Sequence, residues 1–187
     1  MEQGSKRIRF RRERAPGWLR AFCPSEMIGS VTEITPDSLK EQGLCDLLLD
    51  LDNTLAHWRS YQIPEAVQAW VERMKASGIR LCLVSNTRRL KRLRWLSEQL
   101  GIPYARGPMK PRRGLLFDAL RILGVEPREA AIVGDQVFTD IWGGNRAGLY
   151  TIWVRPMHSH EFIGTKISRL IEGWLSKRFQ PFSEEVP

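Results

Sequence analysis

Cysteine is scarce in this chain. There are three, Cys23, Cys45 and Cys82, an odd count with no CxxC pair, which excludes a disulfide framework. Cys45 and Cys82 sit in apolar runs and read as buried thiols, so a reducing cytosol is the expected compartment. No apolar run is long enough to cross a membrane. The basic N-terminus lacks the apolar core and cleavage site of a signal peptide. Histidine is equally sparse: His57, His158 and His160 show no partner pattern. Neither GxGxxG nor GxxxxGK[ST] occurs, and "GGNRAG" (143–148) reads as tight packing at a helix end rather than a nucleotide loop. No internal repeat or low-complexity tract is present. Acidic residues are outnumbered, 21 against 29 Lys and Arg, giving a net charge of +8 and a pI of about 9.9. That balance favours anionic partners: phosphate, nucleic acid or acidic lipid.

What is present fits a globular chain of 187 residues with 42% hydrophobic content. Residues 1–22 carry six arginines and one lysine among Ile8, Phe10, Trp18, Leu19 and Phe22. They read as a basic arm whose order the sequence leaves open. Residues 23–187 read as one domain. Residues 23–43 wrap toward the core, and strands and helices then alternate. Strands are expected at 45–51, 79–85, 130–135 and 149–154, with a short one near 102–105. Helices are expected from Pro64 to Gly78, over 88–100, from Pro111 to Leu123, over 139–147 and over 161–178. This alternation predicts an α/β fold: a doubly wound, mostly parallel sheet with helices on both faces.

In such a sheet, ligands bind beyond the carboxyl ends of the strands. The first run, "LLLDLDNTLAHW", ends in Asp50 and Asp52. Alternation along a strand turns both the same way, and two like charges so close repel unless a cation intervenes. Magnesium suits them, since it takes oxygen ligands and binds phosphate. The second strand ends at Ser85-Asn86-Thr87. Lys110 precedes Pro111 at an expected helix start, near the positive end of that helix. "GDQVFTD" ends the next strand with Asp135 and Asp140. Each piece alone is more often a cap or a turn. Their joint order at successive strand ends makes a phosphoryl-transfer site with a metal clamp.

The combination resembles the haloacid dehalogenase superfamily of phosphohydrolases, whose DxDxT motif is matched by Asp50, Asp52 and Thr54. Ser85, Lys110 and the pair Asp135 and Asp140 match its later motifs. "DLDNTL", "VSNT", "KP", "GDQVFTDIWGGNRAGLYTIWV" and "FIGTKISRLIEGWL" resemble the YqeG family within subfamily IIIA, whose relatives include phosphatidylglycerophosphate phosphatases. The resemblance implies Asp50 as nucleophile and Asp52 as general acid and base. It implies Mg²⁺ on the Asp50 carboxylate, the Asp52 carbonyl and Asp135. Ser85, the Asn86 amide and Lys110 would hold phosphate, with Thr54 and Asp140 in support.

Only one helix and one strand separate the first two motif regions, and 86–109 is as short, so no cap domain fits. The expected substrate is therefore a phosphate displayed on something large, with phosphatidylglycerophosphate favoured. A protein or polynucleotide phosphatase, or an RNA- or ribosome-associated binding module on this scaffold, are the alternatives. The basic, aromatic arm suits peripheral contact with an anionic membrane, or nucleic acid, or plain solvation.

Overall fold

The computed structural model describes residues 7–157, 177–180 and 183–185. Seven strands are present among them. They are β1 (Ile8–Phe10), β2 (Glu26–Ile28), β3 (Asp46–Leu49), β4 (Arg80–Leu83), β5 (Ala130–Gly134), β6 (Tyr150–Val154) and β7 (Ser183–Glu185). Their spatial order is β4-β3-β5-β6-β2-β1-β7. The first five run parallel, while β1 is antiparallel to both β2 and β7.

Among the described residues the connecting α-helices include α1 (Gly17–Arg20), α2 (Pro36–Lys40), α3 (Glu65–Ala76), α4 (Leu90–Leu100), α5 (Gly114–Leu123) and α6 (Trp142–Ala147). The two-residue period of β3 sorts its leucines between two layers. Leu47 and Leu49 join the cluster that holds Trp70 and Met74 of α3 and Leu93 and Leu96 of α4. Leu48 faces the other way, into the cluster of Leu116 and Leu120 from α5 and Ala147 from α6. The sheet is thus covered on both faces, as the alternating pattern predicts. Trp70 is fully buried, and its indole Nε1 donates to the Ile34 carbonyl at 2.8 Å, tying α3 to the loop before α2.

Three expectations are corrected, and the order of the basic segment, which the sequence leaves open, is seen for its described residues. Residues 7–22 are folded: Ile8–Phe10 is a strand held between β2 and β7, and Ala15, Leu19 and Cys23 pack with Val137, Ile141 and Phe179. The arginines conceal this strand because their charges find partners. Arg7 pairs with the buried Glu26, and Arg12 Nη1 donates to Ser25 Oγ at 3.1 Å. The strand expected near 102–105 is a single bridge, Leu83 to Tyr104. The helix expected to open at Pro111 begins at Gly114, so Lys110 does not sit at a helix start. Cys45, expected to be buried, is exposed at the amino end of β3, whereas Cys23 and Cys82 are buried. The helix expected over 161–178 lies outside the described residues except for its last positions. No helix among the described residues is long and apolar enough to cross a membrane.

Candidate active site

β3, β4 and β5 lie side by side, and their carboxyl ends deliver the expected residues to one place. Asp50 follows β3 while its backbone N–H still bonds the Val133 carbonyl at 2.9 Å. The chain then turns sharply. Asn53 adopts φ +62°, a left-handed conformation that asparagine tolerates better than most residues. Its N–H bonds the Ala56 carbonyl at 2.8 Å. Thr54 is buried beneath this turn.

Asp50, Lys110, Asp135 and Asp140 are all buried. Lys110 Nζ donates to Asp50 Oδ1 and to Asp140 Oδ1, each at 2.6 Å. Asp140 Oδ2 also accepts from the Gln136 N–H at 3.1 Å. Gly134 makes room for this: a Cβ there would overlap the Asp140 carboxylate. Lys110 is itself clamped, since the Asn86 side chain accepts from its N–H at 2.7 Å and donates to its carbonyl at 3.0 Å. Ser85 Oγ accepts from the Thr87 N–H at 3.2 Å and faces the cleft.

Burial pushes the Asp50 carboxyl up to about 7; Lys110 opposes this rise and Asp140 adds to it, with Asp52 the weaker like charge. The repulsion that the DxD spacing predicts therefore comes chiefly from Asp140. Burial works against the Lys110 ammonium too, but Asp140 and Asp50 outweigh it and hold Lys110 above the ordinary lysine range. One carboxylate oxygen from each of Asp50, Asp135 and Asp140 lies within 4.8 Å of the others. Three buried carboxylates around one ammonium leave negative charge that an oxygen-seeking dication fits. Of the expected ligands, the Asp50 and Asp135 carboxylates lie in this cluster together with Asp140; from Asp52 the backbone carbonyl was expected, and its side chain turns elsewhere.

Asp52 Oδ1 meets Arg92 Nη1 at 2.9 Å and accepts from the Arg59 N–H at 3.1 Å. The sequence reading missed Arg92, although a signal was present. It stands at i−4 from Leu96 and i−8 from Leu100, so it projects into the buried side of α4. The cleft above these residues measures ≈ 380 Å³ and is also walled by Trp58, Arg59, Arg88 and Arg89. Those four were likewise not anticipated. Among the described residues no inserted domain covers it: between β3 and β4 the chain holds only a loop and α3.

Residues 12–148 match the family model described as haloacid dehalogenase-like hydrolase. The chain is 37% identical over 152 residues to the "Probable phosphatase YqeG" of Bacillus subtilis, covering 81% of this chain and 87% of that one. It is 29% identical to "Phosphatidylglycerophosphate phosphatase 1, chloroplastic/mitochondrial" of Arabidopsis thaliana, over 87% of this chain and 51% of that protein. It thus spans about half the length of the plant relative. A crystal structure of an uncharacterized protein from Listeria monocytogenes superposes with a TM-score of 0.51 at 18% identity, covering 72% of this chain and 99% of the other. That likeness carries the fold alone. The family model and the bacterial relative agree with the acidic strand ends and the buried lysine: this chain belongs to the haloacid dehalogenase-like hydrolases.

Proposed function

We propose that this phosphatase is a magnesium-dependent phosphomonoesterase working through an aspartyl-phosphate, with phosphatidylglycerophosphate as its substrate. The observation that carries the reading is a buried Asp50 bonded to Lys110 beside Asp135 and Asp140, at the floor of an uncovered cleft. Asp50 attacks phosphorus in line, and the bond to the leaving oxygen breaks as the new one forms. Asp52 gives its proton to the leaving alkoxide, then takes one from the water that opens the aspartyl-phosphate. Lys110, Ser85 Oγ and the Asn86 N–H hold the non-bridging oxygens. Asp140 fixes Lys110, and Thr54 supports the turn. Asp50 and Asp135, with the Asp52 carbonyl, would hold Mg²⁺, which would supply charge neutralisation at the phosphoryl group.

The lipid reading rests on the relatives and on exposed apolar residues of the segments that wall the cleft. Trp58, Tyr61, Leu90 and Trp95 are exposed, and they come from the same two segments that place Arg59, Arg88 and Arg89 in the cleft. Aromatics beside arginines suit an anionic bilayer surface. The N-terminal segment offers less than its composition promises. Trp18 is exposed, but Phe10 packs on Phe179 and Phe22 on Phe138 and Trp142. The test is phosphate release with Mg²⁺ from phosphatidylglycerophosphate vesicles, phosphopeptides, end-phosphorylated RNA and small phosphomonoesters. Preferred turnover of the lipid supports the reading. Preference for a peptide or RNA replaces the substrate, and no release in any arm overturns the catalytic reading.

A further inference from the structure

Arg92 is 1% exposed, a rare condition for a guanidinium and an expensive one to reach by desolvation. All of its hydrogen bonds go to one short segment. Nε donates to the Ser60 carbonyl at 2.7 Å and Nη2 to the His57 carbonyl at 3.5 Å, while Nη1 meets Asp52 Oδ1 at 2.9 Å. The residues that continue its line on α4, Leu96 and Leu100, are apolar and buried. An aliphatic residue at 92 would fill the same place in the fold without a charge to desolvate. The guanidinium does something an aliphatic side chain could not. It fixes the loop carbonyls and the Asp52 carboxylate in one frame, and the planar fork sets their relative angles.

The Asp52 carboxylate is anchored through Oδ1, which pairs with Arg92 Nη1 and accepts from the Arg59 N–H, and Asp52 lines the cleft.

We propose that Arg92 is a positioning residue for proton transfer by Asp52, an inference that rests on the general-acid reading above. As the Asp50–phosphorus bond forms and the phosphorus–oxygen bond to the leaving group breaks, the Asp52 proton moves to the departing oxygen. Arg92 holds the carboxylate where that transfer is short. It touches no reacting atom itself.

Leaving-group dependence separates this role from a merely structural one. p-Nitrophenolate departs without a proton, whereas the alkoxide of glycerol phosphate needs one. The kcat/KM for each ester, which reports the first phosphoryl transfer, is measured for Asp52→Asn, Arg92→Ala, Arg92→Lys and the double variant Asp52→Asn/Arg92→Ala. Asp52→Asn is expected to lose about 100-fold or more on glycerol phosphate and far less on p-nitrophenyl phosphate. Arg92→Ala is expected to lose roughly 10- to 100-fold on glycerol phosphate with the same selectivity. Arg92→Lys should recover part of that loss, and the double variant should be no worse than Asp52→Asn alone. Should Arg92→Ala not fold, Arg92→Lys and its own double variant give the same comparison. Equal losses on both esters, or additive losses in the double variant, would overturn the proposal. A normal leaving-group preference in Asp52→Asn would place the failure with the general-acid reading instead.

Discussion

β3 carries an aspartate at its first residue and another just past its last, and the two live differently. Asp46 is fully buried at the amino end, where both oxygens are taken by Arg80, at 2.6 Å from Nε and 2.7 Å from Nη2. Arg80 keeps half of its side chain in water, so the charge of the pair is matched and the guanidinium stays hydrated. Asp50 is buried at the carboxyl end, where it shares a single lysine with Asp140 and lies close to Asp135. One residue type on one strand thus serves as a rivet at one end and as stored charge at the other. The difference lies in the count of cations to carboxylates. Parallel topology decides which end receives the excess, because the loops at the carboxyl ends converge on one cleft.

The largest effect expected separates these two ends by turnover. Asp50→Asn should lower p-nitrophenyl phosphate hydrolysis on the order of 10⁴-fold, as loss of a covalent nucleophile does. Asp46→Asn should leave it close to wild type. Similar losses in both would erase the distinction between rivet and reactive group.

Mg²⁺ should sharpen the contrast through stability. A ligand bound only by the folded state adds RT ln(1 + [L]/Kd), about 2.7 kcal/mol at a hundred times Kd. Thermal melts with and without Mg²⁺ should show that increment in wild type and in Asp46→Asn, and a much smaller one in Asp50→Asn. An unchanged increment in Asp50→Asn would remove Asp50 from the metal site.

Asp46→Asn should instead cost stability without metal, about 2 kcal/mol for a charge-assisted pair of bonds, read from urea unfolding. A neutral result would mean that Arg80 finds an equal partner in water.

A slope with pH separates the two ends as well. The Asp50 carboxyl is raised by burial to about 7 in the folded protein, against about 3.9 in an unfolded chain. Between those values the folded state holds a proton that the unfolded state has released, so it binds more protons. Stability of the metal-free protein should therefore fall as pH rises from about 4 to about 7. Melting in EDTA across that range checks it. The contribution should persist in Asp46→Asn and vanish in Asp50→Asn.

Much of the candidate site was legible because each of its parts is a chemical type at a recognisable place. Asp50, Ser85 and Asp135 each stand where an apolar run stops, and such runs are long enough to identify. Lys110 was legible by its motif, but its surroundings were not. Pro111 looked like a first helical residue, whereas α5 starts at Gly114 and the lysine answers to carboxylates rather than to a helix end. The direction of Asp52 could not be read from alternation, because the strand has already ended at Leu49. Arg92 was hidden by its composition, since an arginine on a helix is ordinarily solvated. The outer strands β1, β2 and β7 are three residues each, too short for a period, and Glu26 in β2 is a buried charge bonded to Arg7 and Tyr150. Their pairing follows from contacts between distant segments, which local patterns do not record.

That outer edge has a bearing on how the chain assembles. β7 closes onto β1, so strands from opposite ends of the chain become neighbours only after everything between them has been made. Pairings of such sequence separation are slow to form, because loop closure must precede the contacts that reward it. The central run β4-β3-β5 draws on nearer segments and can gather first on the ribosome, with the aspartates of the candidate site already in their loops. The β1–β7 seam is then the last to zip and the first to open, and its amide hydrogens should exchange with solvent well before those of β3.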